Sequence, residues 1–277
     1  MTKLIGRYLI ICGMFLFGFA NFIACGSAFY SISLEDDSDM LRSGTSNPDY
    51  DNPEADTYGI HAPSGWRKLP IRYRFGTQLN DEQRKHLSQA MKIWEAAVGM
   101  PLFEVSGLHE GHSGDGFQDL YSSLSDGVNG HYLDQNWGKT KKPQYVLATT
   151  IWNGPASGVI STADIRFNAE NYIIGDSLRL RATESKEVVD MQSLALHELG
   201  HLLGLAHVSE SIDGLSIMNP TLFIGEGLIS REISKGDIER IQKIYGCDGA
   251  ACDIDQVVET VRAFERQHLT DPMNIAH

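Results

Sequence analysis

A chain of 277 residues, 42% hydrophobic and only 21% charged, can bury the core of one ordinary domain with an extension at each end, which excludes an intrinsically disordered protein. Its formal net charge of −13 argues against nucleic acid as a partner, because an acidic surface repels a phosphate backbone. Much of that charge is local: between Glu35 and Asp56 eight acids stand against Arg42 alone.

Residues 1–25 read as an export signal. Lys3 and Arg7 supply a positive start, Tyr8 to Ala20 is almost wholly apolar, and the run is short for a membrane-spanning helix. Phe22, Ile23, Ala24 and Cys25 resemble a lipobox, the bacterial lipoprotein signal in which the cysteine is lipidated and becomes the new N-terminus. Gly26 after it resembles the pattern of lipoproteins sent to the outer membrane. On this reading Cys25 carries a lipid anchor, and the membrane is a partner through that anchor only. The other reading is a secretory peptide cut after Ala28, with Cys25 discarded; either way the protein is expected to be exported. Residues 26–60 mix Ser, Asp, Asn, Gly and Pro without apolar periodicity, which predicts an extended, self-repelling tether.

The folded domain is expected over residues 61–253. Leu69, Ile71, Tyr73 and Phe75 alternate with Pro70, Arg72 and Arg74, the period of a half-buried strand. Asn80 then caps a helix in which Leu87, Ala90, Met91, Trp94, Ala97 and Val98 recur at three and four, ending at Gly99, so Trp94 belongs to the core. Leu102 to Val105 predicts a short second strand. Ser106 to Pro143 reads as a long solvated loop, with His112, Asp115 and His131 as weak candidates for a second metal. Gln144 to Trp152 and Ser161 to Asn168 are β-rich, and Asp164 is placed either to bind calcium or to cap a turn.

From Ser185 to Leu203 the spacing predicts a helix that carries His197, Glu198 and His201. Two histidines four apart lie one turn above each other on one helix face, the spacing needed to hold one metal ion between two imidazoles. Glu198 projects beside that ion, placed to take a proton from an activated water. Gly204 can end the helix with a positive φ and return His207 as a third ligand. Three neutral nitrogens and an open fourth position make a catalytic rather than a structural zinc. Downstream, Ser234 to Tyr245 fits a capped helix, and residues 254–277 contain one more amphipathic helix of unknown use. Cys247 and Cys252, separated by Asp-Gly-Ala-Ala, are expected to pair in an oxidising compartment.

HELGHLLGLAH at residues 197–207, followed by SIMNP at residues 216–220, resembles the metzincin signature and its methionine turn. Among metzincins the chain is similar to the matrixin branch, from about Trp66 to Gly246. Val208 stands where matrixins usually place Ser. The resemblance implies an α+β zincin-like domain: a twisted, mostly parallel sheet, two long helices, a cleft, and a smaller lower part holding His207, Met218 and the last helix. It implies that Met218 forms the floor under the zinc, and that Leu147, Ala148 and Thr149 lie on an edge strand able to bind an extended peptide through its main chain. It also implies a zinc endopeptidase with one catalytic Zn2+, with Ca2+ as a further candidate ion, acting as a monomer on protein or peptide substrates. A zinc-binding adhesion lipoprotein and a cell-wall peptide amidase remain as other readings.

Overall fold

The structure is a computed structural model that describes residues 30–33, 59–110, 126–154 and 158–270. Period-two alternation produces strand β2, Ile71–Gly76, with Ile71, Tyr73 and Phe75 buried and Arg72 and Arg74 in water. Asn80 and Gln83 form a reciprocal capping box at the start of helix α1, Asp81–Val98, which Gly99 ends in the left-handed conformation. Trp94 is wholly buried, and its indole donates to the Leu196 carbonyl at 3.0 Å.

Strand β3, Phe103–His109, runs four residues beyond Val105, because its pairing with β2 carries it through Ser106 and Gly107. Strand β4, Asn129–Asp134, lies inside the stretch expected to be a solvated loop. With β5, Ala148–Asn153, and β6, Thr162–Asn168, these strands make one sheet in the order β3-β2-β4-β6-β5. The first four are parallel and β5 is antiparallel at the edge, the mostly parallel α+β arrangement that the resemblance implies.

His131 faces the core, stacked on Phe167 with the rings 5.9 Å apart and tilted against Tyr73 at 4.5 Å, and among the described residues it joins no group of metal-ligating side chains. Burial pushes its pKa down to about 3, so the ring is neutral there. Asp164 Oδ1 accepts the Gly130 amide at 2.8 Å and ties β6 to β4. Beside it the fully buried Arg166 and Asp134 form an ion pair across the same two strands. His112, Asp115 and Cys25 lie outside the described residues.

The second long helix, α2, spans Met191–Leu202 rather than starting at Ser185. Val188–Asp190 instead forms strand β8, parallel to β7, Ile173–Gly175, since two consecutive β-branched residues fit a strand better than a helix. Asp190 then caps α2, accepting the Ser193 amide at 2.9 Å. Every residue of α2 is buried, including the polar Gln192, Ser193, His197, Glu198 and His201.

Helix α3, Lys235–Tyr245, begins at Ser234 with a capping box closed by Asp237. A disulfide joins Cys247 to Cys252 and leads into α4, Ile254–Thr270. This last helix is not a free tail: it packs against α1 and α3, with Val257 and Val261 in the core. At the other end Tyr30–Ser33, inside the stretch expected to be an unpaired tether, forms strand β1 against β9, Thr221–Ile224. Among the described residues no helix is long and apolar enough to cross a membrane.

Candidate active site

The site is built at the C-terminal end of α2, where the chain turns and comes back. Gly204 adopts φ 108°, and a Cβ there would meet the Ala62 carbonyl oxygen at 2.8 Å, so both backbone angle and space require glycine. Residues 59–62 are strapped across this turn, with the His61 amide donating to Gly204 at 2.8 Å and the Ala206 amide to Gly59 at 3.0 Å. Carbonyls at this helix end, which lack the next turn's amides, also accept from side chains elsewhere in the chain. His61 Nε2 donates to His201 at 2.9 Å, Trp66 Nε1 to Leu202 at 2.7 Å and the Tyr245 hydroxyl to Leu203 at 2.8 Å.

The three histidines converge. Their Nε2 atoms lie 3.0 Å (His197 to His201), 3.2 Å (His197 to His207) and 3.3 Å (His201 to His207) apart. Nitrogens about 2.0–2.1 Å from one tetrahedral centre must stand about 3.3 Å apart, so this triangle is the base of a zinc-sized tetrahedron. The contacts are not hydrogen bonds among themselves, because two of the ring protons are committed on the opposite side. His197 Nδ1 donates to the Ile217 carbonyl at 2.7 Å and His201 Nδ1 to Leu205 at 2.9 Å, leaving each Nε2 as a lone pair. Burial lowers the His201 pKa to about 4 and holds His207 well below its ordinary value, where the other two histidines lower it further. Both shifts favour the neutral ring that a metal needs.

Met218 is fully buried, with its sulfur against Gly200 of α2. A Cβ on Gly200 would meet that sulfur at 2.3 Å and Trp94 at 3.2 Å, so the glycine between the two helical histidines is what lets the methionine turn approach. The turn is held by α3. Asp237 accepts from the Ser216 hydroxyl at 2.5 Å, the Ile217 amide at 2.8 Å and the Ser234 amide at 2.9 Å. One carboxylate therefore caps α3 and fixes the carbonyl that orients His197. Val208, in place of the family's Ser, is fully buried, and its amide donates to Met218 at 2.9 Å.

Glu198 is 2% exposed and lies against β5, where the Thr150 hydroxyl stands 2.6 Å from its Oε2. Of the residues expected on the edge strand, Ala148 and Thr149 belong to β5, whereas Leu147 precedes it and accepts the Asn168 amide at 2.9 Å. Sequence reasoning missed His61, and it placed Thr150 in a strand without its contact to Glu198. His61 stands at the first position of the expected domain with no motif around it, and Thr150 needs strand register to show which way it points.

A second group, Glu82, His86 and Asp176, also brings three ligand-type atoms within 4.8 Å of one another. It is already neutralised. Arg231 lies 2.8 Å from Asp176, and Arg179 lies 3.4 Å from both Glu82 and Asp176, so a cation there would meet two guanidinium groups.

With the geometry in place, the chain can be set beside known proteins. A family model described as Matrixin (Peptidase_M10) matches residues 65–246, which contain all three histidines, Glu198 and Met218. Stromelysin-1 of Mus musculus is 27% identical over 212 residues, covering 75% of this chain and 38% of that protein. Metalloendoproteinase 5-MMP of Arabidopsis thaliana is 29% identical over 192 residues, 65% of this chain and 44% of the other. Metalloendoproteinase 2-MMP of the same plant reaches 38% identity over 81 residues, 28% of this chain and 19% of that one. The chain thus spans less than half the length of these relatives.

Proposed function

Because the chain belongs to the matrixin family, we propose that it is a zinc-dependent endopeptidase whose metal is held by His197, His201 and His207 and whose general base is Glu198. The observation that carries this reading is the Nε2 triangle, with sides of 3.0–3.3 Å and with two of its rings oriented by hydrogen bonds to Ile217 and Leu205. A zinc ion bound there supplies Lewis acidity, polarising a scissile carbonyl and acidifying water.

The chain's own residues do the rest. Glu198, one position from a ligand and nearly buried, takes the proton from the attacking water and delivers it to the leaving amide nitrogen, so no covalent intermediate is needed. The edge strand β5 offers main-chain groups on the side away from β6, which suits an extended polypeptide recognised with little demand on its sequence. Export and lipidation at Cys25 belong to this proposal, since an oxidising compartment is where the Cys247–Cys252 bond persists.

The test is cleavage of a mixed pool of unfolded peptides by the chain, beside Glu198→Ala and beside a chelator. Turnover is expected to fall by about 10²-fold or more in Glu198→Ala with zinc retained. A zinc-loaded, folded wild type that cuts no peptide would overturn the peptidase reading, and cleavage confined to cell-wall peptides would redirect it to an amidase.

A further inference from the structure

We propose that Thr150 is a positioning residue for the general base, and that strand β5 therefore both receives the substrate and aims the carboxylate that attacks it; this rests on the peptidase reading. The Thr150 hydroxyl lies 2.6 Å from Glu198 Oε2 and 3.0 Å from the Glu198 main-chain carbonyl, and both residues are buried, at 0% and 2% exposure. A hydroxyl has one proton, and the shorter contact with the full charge of the carboxylate claims it.

The geometry fixes which oxygen is constrained. A glutamate on a helix has three rotatable side-chain bonds, and a base that must reach one water loses rate in every rotamer that points elsewhere. With Oε2 held by Thr150, rotation of the carboxylate is restricted. The alignment comes from register. Thr150 pairs with Ile165 of β6, so its neighbour Thr149, beside Arg166, turns to the opposite face, and Thr150 reaches α2 at Glu198. Because β5 is also the sheet edge, an extended peptide that pairs with it settles the strand carrying this hydroxyl. Substrate docking and orientation of the base then share one element.

The experiment compares Thr150→Val, which keeps the shape and loses the hydroxyl, with Thr150→Ser, which keeps the hydroxyl, in the zinc-loaded full chain. In Thr150→Val kcat is expected to fall about tenfold or more while KM, zinc content and Tm stay near wild type, because the lost bond acts on the base and not on substrate or metal. Thr150→Ser should recover most of kcat. Independently of activity, a crystal structure of Thr150→Val should show the Glu198 carboxylate in a rotamer other than that held by Thr150, or in several. Wild-type kcat in Thr150→Val beside an inactive Glu198→Ala would overturn the role of Thr150 alone. An inactive wild type would overturn the peptidase reading and this proposal with it. A kcat loss that Ser does not recover, with Glu198 unmoved, would assign Thr150 to packing and overturn the proposal.

Discussion

Among the described residues two groups of side chains bring three metal-ligating atoms within 4.8 Å of one another, one at the end of α2 and one where α1 meets the residue after β7. They differ in what already surrounds them. At the end of α2 burial favours the neutral rings of His201 and His207, and His197 and His201 each have Nδ1 tied to a carbonyl, which leaves Nε2 as a lone pair. Around Glu82, His86 and Asp176 the acids have arginine partners, and the charge a cation would bring is present as guanidinium. Convergence of donor atoms is thus a weak criterion by itself; the protonation and prior pairing of the donors decide whether a site takes an ion.

The largest expected effect breaks this contrast from the metal side. His201→Ala should lower zinc affinity by more than ~100-fold, since loss even of a residue that only orients a ligand costs 10–100-fold. His86→Ala should leave the zinc content of the purified protein unchanged at about one per chain. Metal analysis of the two variants checks both, and a loss of zinc in His86→Ala would mean that the second cluster takes an ion after all.

An intermediate effect sharpens the contrast from the ion-pair side. Arg231 bonds Asp190 and Asp176 while itself buried, so Arg231→Met leaves two carboxylates in the interior without that partner. Denaturant unfolding at neutral pH should show a loss of about 3–5 kcal/mol. Burial by itself raises the Asp190 carboxyl, but the hydrogen bonds and charge of Arg231 outweigh it and hold the pKa below its ordinary 3.8. A depressed acid contributes stability above its unfolded-state value, and that contribution is lost as the pH falls through its folded value. The gap between wild type and Arg231→Met should therefore be full at neutral pH and narrow below about pH 4.

The smallest effect lies at the rim of the same network. Glu265 of α4 is hydrogen-bonded by Gln192, and burial raises its pKa to about 7 from 4.5. The folded state then holds a proton that the unfolded state has released, so this residue's contribution to stability declines as the pH rises from about 4.5 to about 7. Glu265→Gln should flatten that slope and gain a small amount of stability at pH 8, seen as a Tm raised by a few degrees at most. An unchanged pH slope would show that Glu265 titrates normally.

Much of the site could be read in advance because its parts are local. The spacing of His197, Glu198 and His201 depends only on helical periodicity, and the return to His207 on a glycine able to take positive φ. Helix α1 and helix α3 were legible for the same reason: Asn80 with Gln83 and Ser234 with Asp237 cap within one turn of their own chain. The start of α2 was misplaced because Val188 and Val189 fit a helical stripe in sequence, and only their pairing with Ile173 and Ile174 makes them a strand. Strand β4 was hidden in a stretch rich in Gly, Ser and Asp, where burial against β2 and β6 supplies what local propensity does not.

What the sequence by itself determined is the donor set and its chemistry, since the identity of three histidines, a glutamate and a methionine turn at short spacings survives any arrangement of the rest. Tertiary structure alone decided what those groups face. Asp237 reaching back to Ile217, His61 closing the His201 carbonyl, Thr150 meeting Glu198 and Arg231 pairing with Asp176 of the second cluster all join residues between 20 and 140 positions apart. Contacts of that range are set by sheet register and helix docking, and neither leaves a periodic trace in the chain.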